Sequence, residues 1–371
     1  MARAKPESVM SNVVPYPASA VSSAEPQALL PASGPEACVA ETPPAGTPPR
    51  PRRPVVPAKA PPRWREPATR GLFALIGIVV FLALWQVLAA RIDTSLGRLP
   101  GPVQVAQQVR VLGAEWQGER VRAQAFEERL AKTNARRLAA DPSAEPIRAA
   151  YTGAPTFVSQ VGTSLLTVAT GFVLATLVAV PLGIVSGLSS GVYAALNPII
   201  QVLRPISPLA WLPIVTLVVS ALYVSPDPML AKSFVISALT VMLCCLWPTL
   251  INTTIGVASV PHELTQLTRV LRLPWLTRVR RVVLPSAVPM VFAGMRVSLG
   301  IGWMVLIATE MLAQNPGLGK FVWDEFQNGS SQSLARILVG VVTIGLLGFA
   351  LDCLMLTAQR LVSWDKNAVL R

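Results

Sequence analysis

An all-α fold that crosses a membrane several times is predicted by three observations. Only 14% of the residues are charged and 52% are hydrophobic, whereas an ordinary soluble domain carries about a quarter charged residues. The mean hydropathy is +0.51. Apolar runs of about 20 residues or more, the length that crosses a hydrocarbon core, recur along the chain with arginines gathered at their flanks. The net charge of +13 therefore sits where anionic headgroups and membrane orientation account for it, and no nucleic-acid partner is expected.

The elements follow in order. Residues 1–70 hold 16 of the 34 prolines, mixed with Ala, Ser, Thr and a basic end, and are predicted to be a disordered cytoplasmic tail. The run 71–90 has no charge and makes the first span. Residues 91–155 are polar, carry both signs of charge and form an extramembrane loop, helical in part. A five-helix core over 156–361 comes next. Its first helix, the second span of the chain, covers Val161–Leu188; the third span is interrupted by Pro205, Pro208 and Pro213. Those prolines free backbone groups that lipid cannot satisfy, so this segment must pack inside protein or line a cavity. The last three spans cover Ser233–Val260, Ala287–Leu312 and Ala335–Leu361, and 362–371 is a short tail.

Six spans place both termini on one side. The connection 260–286 has Arg269, Arg272, Arg278, Arg280 and Arg281 against one acid, Glu263. The excess of arginine makes that loop and both termini cytoplasmic, with the long 91–155 loop outside. Within the loop, "PHELTQLTRVLRL" has Pro261 at a first helical position, Glu263 in the first turn and arginine toward the end, which favours a short helix. Leu264, Leu267, Val270 and Leu271 recur at helical spacing as an apolar face. Periodicity leaves two readings open: a docking element for a partner, or an amphipathic helix lying on the membrane.

Chemistry in this chain is sparse. Cys38, Cys244, Cys245 and Cys353 have neither disulfide nor zinc spacing, a single histidine, His262, offers little for catalysis, and no metal site is expected. "PGLGKF" lacks the Gly five positions before Gly319 and the Ser or Thr after Lys320 that a phosphate loop needs. ATP must be hydrolysed by another polypeptide if it is used. Ionisable residues inside apolar spans are costly and so mark candidate functional sites. Arg296 either attracts an anion or pairs with Asp352, and Glu310 is a structural or outer-gate group.

Four blocks in order carry a family resemblance: "LRPISPLAWLPI", "WPTLINTTIGVASVP", "FAGMRVSLGIGWMVLIATEML" and "GLGKFVWDEFQNGS". The loop keeps the spacing of the signature Glu-Ala-Ala, three residues, Gly, nine residues, Ile, one residue, Leu-Pro. Gln266, Leu267 and Thr268 stand at its start, Arg272 at the Gly, Val282 at the Ile, and Leu284 with Pro285 at its end. The chain from about residue 150 resembles ATP-binding-cassette importer permeases of the nitrate, sulfonate and bicarbonate group, the nitrate branch above all.

The resemblance implies a type I importer permease fold with six transmembrane helices in the bacterial inner membrane. The expected partners are a second permease copy, two cytoplasmic ATPase subunits that bind ATP and Mg, a periplasmic or lipid-anchored solute-binding protein, membrane lipid and a small inorganic anion. The chain itself is expected to carry no cofactor and to be no enzyme. The coupling helix would present Pro261, Glu263, Leu264, Leu267, Thr268, Val270, Leu271 and Arg272 to the ATPase. A weakly hydrated anion such as nitrate needs hydrogen-bond donors on its path but no deep fixed cation, which would trap it. Thr240, Asn252, Thr253, Thr254, Ser298, Trp303 and Thr309, with Arg296 and Glu310, are the candidate pathway residues. Sulfonate, taurine, bicarbonate or cyanate are alternative cargoes. A stand-alone secondary transporter would need inverted repeats, which are not visible.

Overall fold

The computed structural model of the protein describes residues 65–94, 97–143, 145–224, 230–330 and 332–362. The predicted tail lies outside the described residues as far as 64. Its boundary moves, because helix α1, Arg65–Arg91, already includes the last six residues assigned to the tail. After a two-residue hairpin that pairs Asp93 with Arg98 come α2 (Pro102–Ala140), α3 (Phe157–Leu188), α4 (Ser190–Leu203), α5 (Pro208–Leu222) and α6 (Lys232–Ala258). The chain continues through α7 (His262–Val270), α8 (Trp275–Arg278), a π turn (Val279–Val283), α9 (Leu284–Ala313), α10 (Leu318–Asn328) and α11 (Ser333–Val362). Among the described residues, five helical stretches are long and apolar enough to cross a membrane: Gly71–Arg91, Phe157–Leu188, Lys232–Ala258, Trp275–Ala313 and Ser333–Val362.

The predicted third span is two helices. α4 and α5 meet at 101° and make a sixth crossing only if the bent pair is taken as one. Pro205 ends α4 because it brings no N–H to continue the ladder. Ser207 starts α5 by accepting the Leu209 N–H at its hydroxyl, with Pro208 in the first turn. The fifth span also differs, for it begins at Trp275 rather than near Ala287. The π turn, in which the Leu284 N–H reaches the Val279 carbonyl, joins α8 to α9 just before Pro285. An i to i+5 turn absorbs the extra residue without breaking the rod, so Arg278, Arg280 and Arg281 belong to the helix.

Three helices make the core, and small residues let them approach. On α3, Gly171, Ala175, Ala179, Gly183 and Gly187 recur every fourth residue and face α6. A Cβ at Gly171 would fall 2.6 Å from the Ala238 carbonyl oxygen, and one at Gly183 would fall 2.6 Å from Cβ of Thr253. On α9, Gly294, Ser298 and Gly302 do the same from the other side; a Cβ at Gly294 would lie 2.6 Å from that of Asn252. Lipid gives no hydrophobic drive for helix association, so close backbone packing and interhelical hydrogen bonds supply it. Thr249 and Ser298 share a 2.7 Å hydrogen bond, and the Ser298 hydroxyl donates to the Cys245 carbonyl at 2.6 Å.

α11 packs on the far side of α9, where the Trp303 indole donates to the Ile344 carbonyl at 3.0 Å. The long α2 lies against α10 and α11 through Val105, Leu112, Phe321 and Val339, and Arg336 ties it down by pairing with Glu115 and Glu325. α1 keeps most of its apolar surface exposed, as a helix does when its neighbour is lipid.

Candidate functional site

Two features stand out: the helix in the basic loop and a cavity at the α4–α5 elbow. The Thr265 N–H binds the Pro261 carbonyl at 3.3 Å, which makes Pro261 the residue that caps α7 and corrects its predicted place inside the first turn. Glu263 follows in the first turn, where the helix dipole favours it. Thr268 is buried, its hydroxyl donating to the Thr265 carbonyl. Leu264, Leu267, Val270 and Leu271 are all exposed, Val270 by 80%. Trp275 and Leu276 continue the exposed apolar surface onto α8. The α7 part of this patch lies outside the candidate spans, and an exposed apolar patch of that kind marks an interaction surface.

The end of α7 explains the position at which the family signature has glycine. Arg272 has φ +47°, and the Leu273 N–H returns to the Thr268 carbonyl at 3.1 Å. That is a Schellman ending, whose left-handed residue is ordinarily Gly. An arginine there bears roughly 1 kcal/mol of strain. Arg272→Gly is therefore expected to stabilise the turn and slow amide exchange at Leu271–Leu273 by about fivefold, the equivalent of that energy. Unchanged exchange would show that neighbouring packing imposes the turn.

At the opposite end of the bundle Glu310 is wholly buried. Its carboxylate accepts from the Ser164 hydroxyl at 2.8 and 2.9 Å and from the Gly319 N–H at 2.8 Å, while Ser164 Oγ accepts the Leu318 N–H at 2.8 Å. The group thus ties α3 and α9 to the start of α10. Held by the Ser164 hydroxyl and the Gly319 N–H, it acts as a structural clasp.

The predicted pathway donors are mostly spoken for. Thr240, Thr253 and Thr254 donate to the carbonyls of Ile236, Thr249 and Leu250, four residues back, and Thr309 donates to that of Leu306. Thr240, Thr253, Ser298 and Thr309 lie inside the helix seams. Arg296 pairs with Asp352 in a fork of 2.5 and 2.7 Å, so its charge is neutralised. That pair and Trp303 border a cavity of about 170 Å³ between α9 and α11. Only Asn252 and Thr254 of the set reach the larger cavities at the elbow.

Those cavities adjoin. One, of about 270 Å³, is walled by Arg204, Trp211, Trp247, Asn252, Val297 and Ile301, among others. The other, of about 640 Å³, is walled by Tyr193, Asn197, Gln201, Arg204 and Thr254 on the α4 side. Arg204 and Ile251 belong to both. The sequence reading passed over Arg204, Trp211 and Trp247, although a signal existed: Arg204 is the single cation between Arg148 and Lys232.

Residues 179–363 match the model of the family described as binding-protein-dependent transport system inner membrane component. Over 284 residues the chain is 32% identical to the nitrate import permease protein NrtB of Synechococcus elongatus, covering 76% of this chain and 87% of that protein. The chain belongs to this permease family. It is the membrane subunit of an ATP-binding-cassette importer, and its relatives are transport permeases, with ATP hydrolysis lying in partner subunits. The permease is also 32% identical over 301 residues to the bicarbonate transport system permease protein CmpB of the same organism, covering 81% of this chain and 90% of that one. A solved inward-facing structure of the MetNI methionine ABC transporter covers 55% of the permease at 14% identity and a TM-score of 0.48.

Proposed function

We propose that the permease moves nitrate, or a small anion of similar size, inward across the bacterial inner membrane by alternating access. Two copies pair in the membrane and two ATPase subunits, carrying ATP and Mg, sit below them. A periplasmic or lipid-anchored binding protein delivers the anion from above, next to α10, with its exposed Trp323 and Phe326. The arginines of the loop favour a cytoplasmic α7. Both termini then share that side, counting α4 and α5 as one crossing, and α2 lies outside.

The observation that carries this reading is the exposed apolar face of α7 on a rigid mount. α7 is joined at one end to α6, which binds both α3 and α9, and at the other to the single rod Trp275–Ala313. Nucleotide-driven closure of an ATPase around α7 has differential contacts in its two states, which is what shifts a conformational equilibrium. The exposed Pro261, Glu263, Leu264, Leu267, Val270, Leu271 and Arg272 form this contact, with the buried Thr268 behind them. The NrtB likeness favours nitrate; CmpB makes bicarbonate the second reading.

The test is reconstitution of the permease with its ATPase and binding protein in vesicles, following labelled nitrate. ATP-dependent nitrate uptake that vanishes without the ATPase, and that taurine does not inhibit, is expected. Uptake by the permease alone would place it among secondary transporters, and stronger inhibition by taurine or bicarbonate than by unlabelled nitrate would reassign the cargo.

A further inference from the structure

We infer that Arg204, at the α4–α5 elbow, is the cation that receives the transported anion, and that it selects planar, singly charged oxyanions. This inference rests on the reading of the protein as a small-anion importer and names the group that reading left open.

The charge distribution carries it furthest. α3, α4, α5 and α6 contain no Asp or Glu. On α9 and α11, Glu310 is occupied by Ser164 and Gly319 and Asp352 by Arg296. Arg204 thus has no carboxylate partner among the described residues. An arginine without a carboxylate partner at a break between two apolar helices is a candidate ion site. Arg204 is also exposed to its surroundings, and both elbow cavities open on it.

The cavity geometry agrees with a small guest. A water occupies about 30 Å³, so about 270 Å³ holds a four-atom anion with part of its hydration shell. Trp211 and Trp247 give apolar walls, which a weakly hydrated ion tolerates and a strongly hydrated one does not. Asn252 adds a polar group. A guanidinium is a planar fork of N–H donors that matches two oxygens of a planar anion at once, whereas an ammonium is a point charge. Because the cavity is open, Arg204 holds the ion at a surface rather than inside a closed cage. The objection that a deep cation would trap its cargo therefore does not apply. Nor does Arg296 compete for the role, because Asp352 takes its fork.

The test uses the assembled transporter in vesicles with saturating binding protein. Arg204→Gln is expected to lower ATP-driven nitrate uptake about ten- to hundredfold, the loss of one charge-assisted contact, with the ATPase still co-purifying. Arg204→Lys keeps the charge and loses the fork; it is expected to fall between wild type and Arg204→Gln, and it carries the test if Arg204→Gln does not assemble. Uptake by either assembled variant within twofold of wild type overturns the inference but not the reading. A wild-type complex that moves neither nitrate, nitrite nor bicarbonate overturns both.

A lipid phosphate could present the same oxygens to Arg204, and a second measurement separates the sources. Thermal midpoints of the complex in detergent are followed as sodium nitrate or phosphatidylglycerol is added. Stabilisation by nitrate that Arg204→Gln abolishes supports the inference. Stabilisation by phosphatidylglycerol alone, dependent on Arg204, assigns the residue to a headgroup and overturns it.

Discussion

Replacing Leu267 and Leu271 together by aspartate is expected to abolish retention of the ATPase subunits while leaving the permease in the membrane. Both side chains are more than half exposed, Leu267 by 53% and Leu271 by 58%, so neither holds the fold of the permease together. Truncating an anchor at the centre of an interface costs about 2–4 kcal/mol, and a desolvated carboxylate without a partner adds to that. Two such changes weaken docking by roughly a thousandfold or more. Membrane insertion is decided by the spans, which the substitutions do not touch. Co-purification of the ATPase with the double variant checks the result, and an unchanged yield would mean that α7 only rests on lipid.

Glu310→Ala is the second large effect, and it acts on stability. The substitution removes the acceptor for the Ser164 hydroxyl and the Gly319 N–H, leaving donors in a wholly buried site. An orphaned buried donor costs about 1–3 kcal/mol, so the pair costs roughly 2–6 kcal/mol. At about 2–4 °C per kcal/mol for a domain of this size, the thermal midpoint in detergent is expected to fall by about 5–20 °C. Glu310→Gln keeps one acceptor oxygen and should lose less. Gly317→Ala shares the direction, since its Cβ would fall on the carboxylate. A midpoint for Glu310→Ala within 2 °C of wild type would show that the clasp contributes nothing.

How far these features were legible in the sequence depends on whether they live in local pattern or in tertiary pairing. The spans at Phe157–Leu188, Lys232–Ala258 and Ser333–Val362 follow from hydropathy alone, because lipid imposes a length and an absence of charge. α7 was legible from Pro261, Glu263 and the spacing of its leucines. The elbow was legible only as a break: Pro205 and Pro208 forbid a straight helix, but the 101° turn is set by what α4 and α5 pack against. The left-handed turn at Arg272 was hidden, since nothing about an arginine announces a positive φ. The fifth span began earlier than its hydropathy because a π turn carried the helix through three arginines.

The pathway residues were the least legible. Choosing Thr240, Thr253 and Thr309 as donors toward a cargo treated each hydroxyl as free, yet on a helix such a hydroxyl finds a carbonyl three or four residues back. Arg296 and Asp352, 56 residues apart in sequence, could be paired only as one of two readings. Arg204 escaped notice because it sits beside Pro205, at the proline break of the otherwise uncharged stretch 149–226, and its significance depends on the missing acids of α3–α6 around it.

The central claim is that α7 is the handle by which separate ATPases move the bundle. A photo-crosslinking side chain placed at Leu267 in the assembled transporter tests it most directly. The account predicts a crosslink to the ATPase subunit, and loss of ATP-driven uptake in proportion to the crosslinked fraction. Crosslinking to lipid alone, or labelling of that position from the outer side of the membrane, would contradict it.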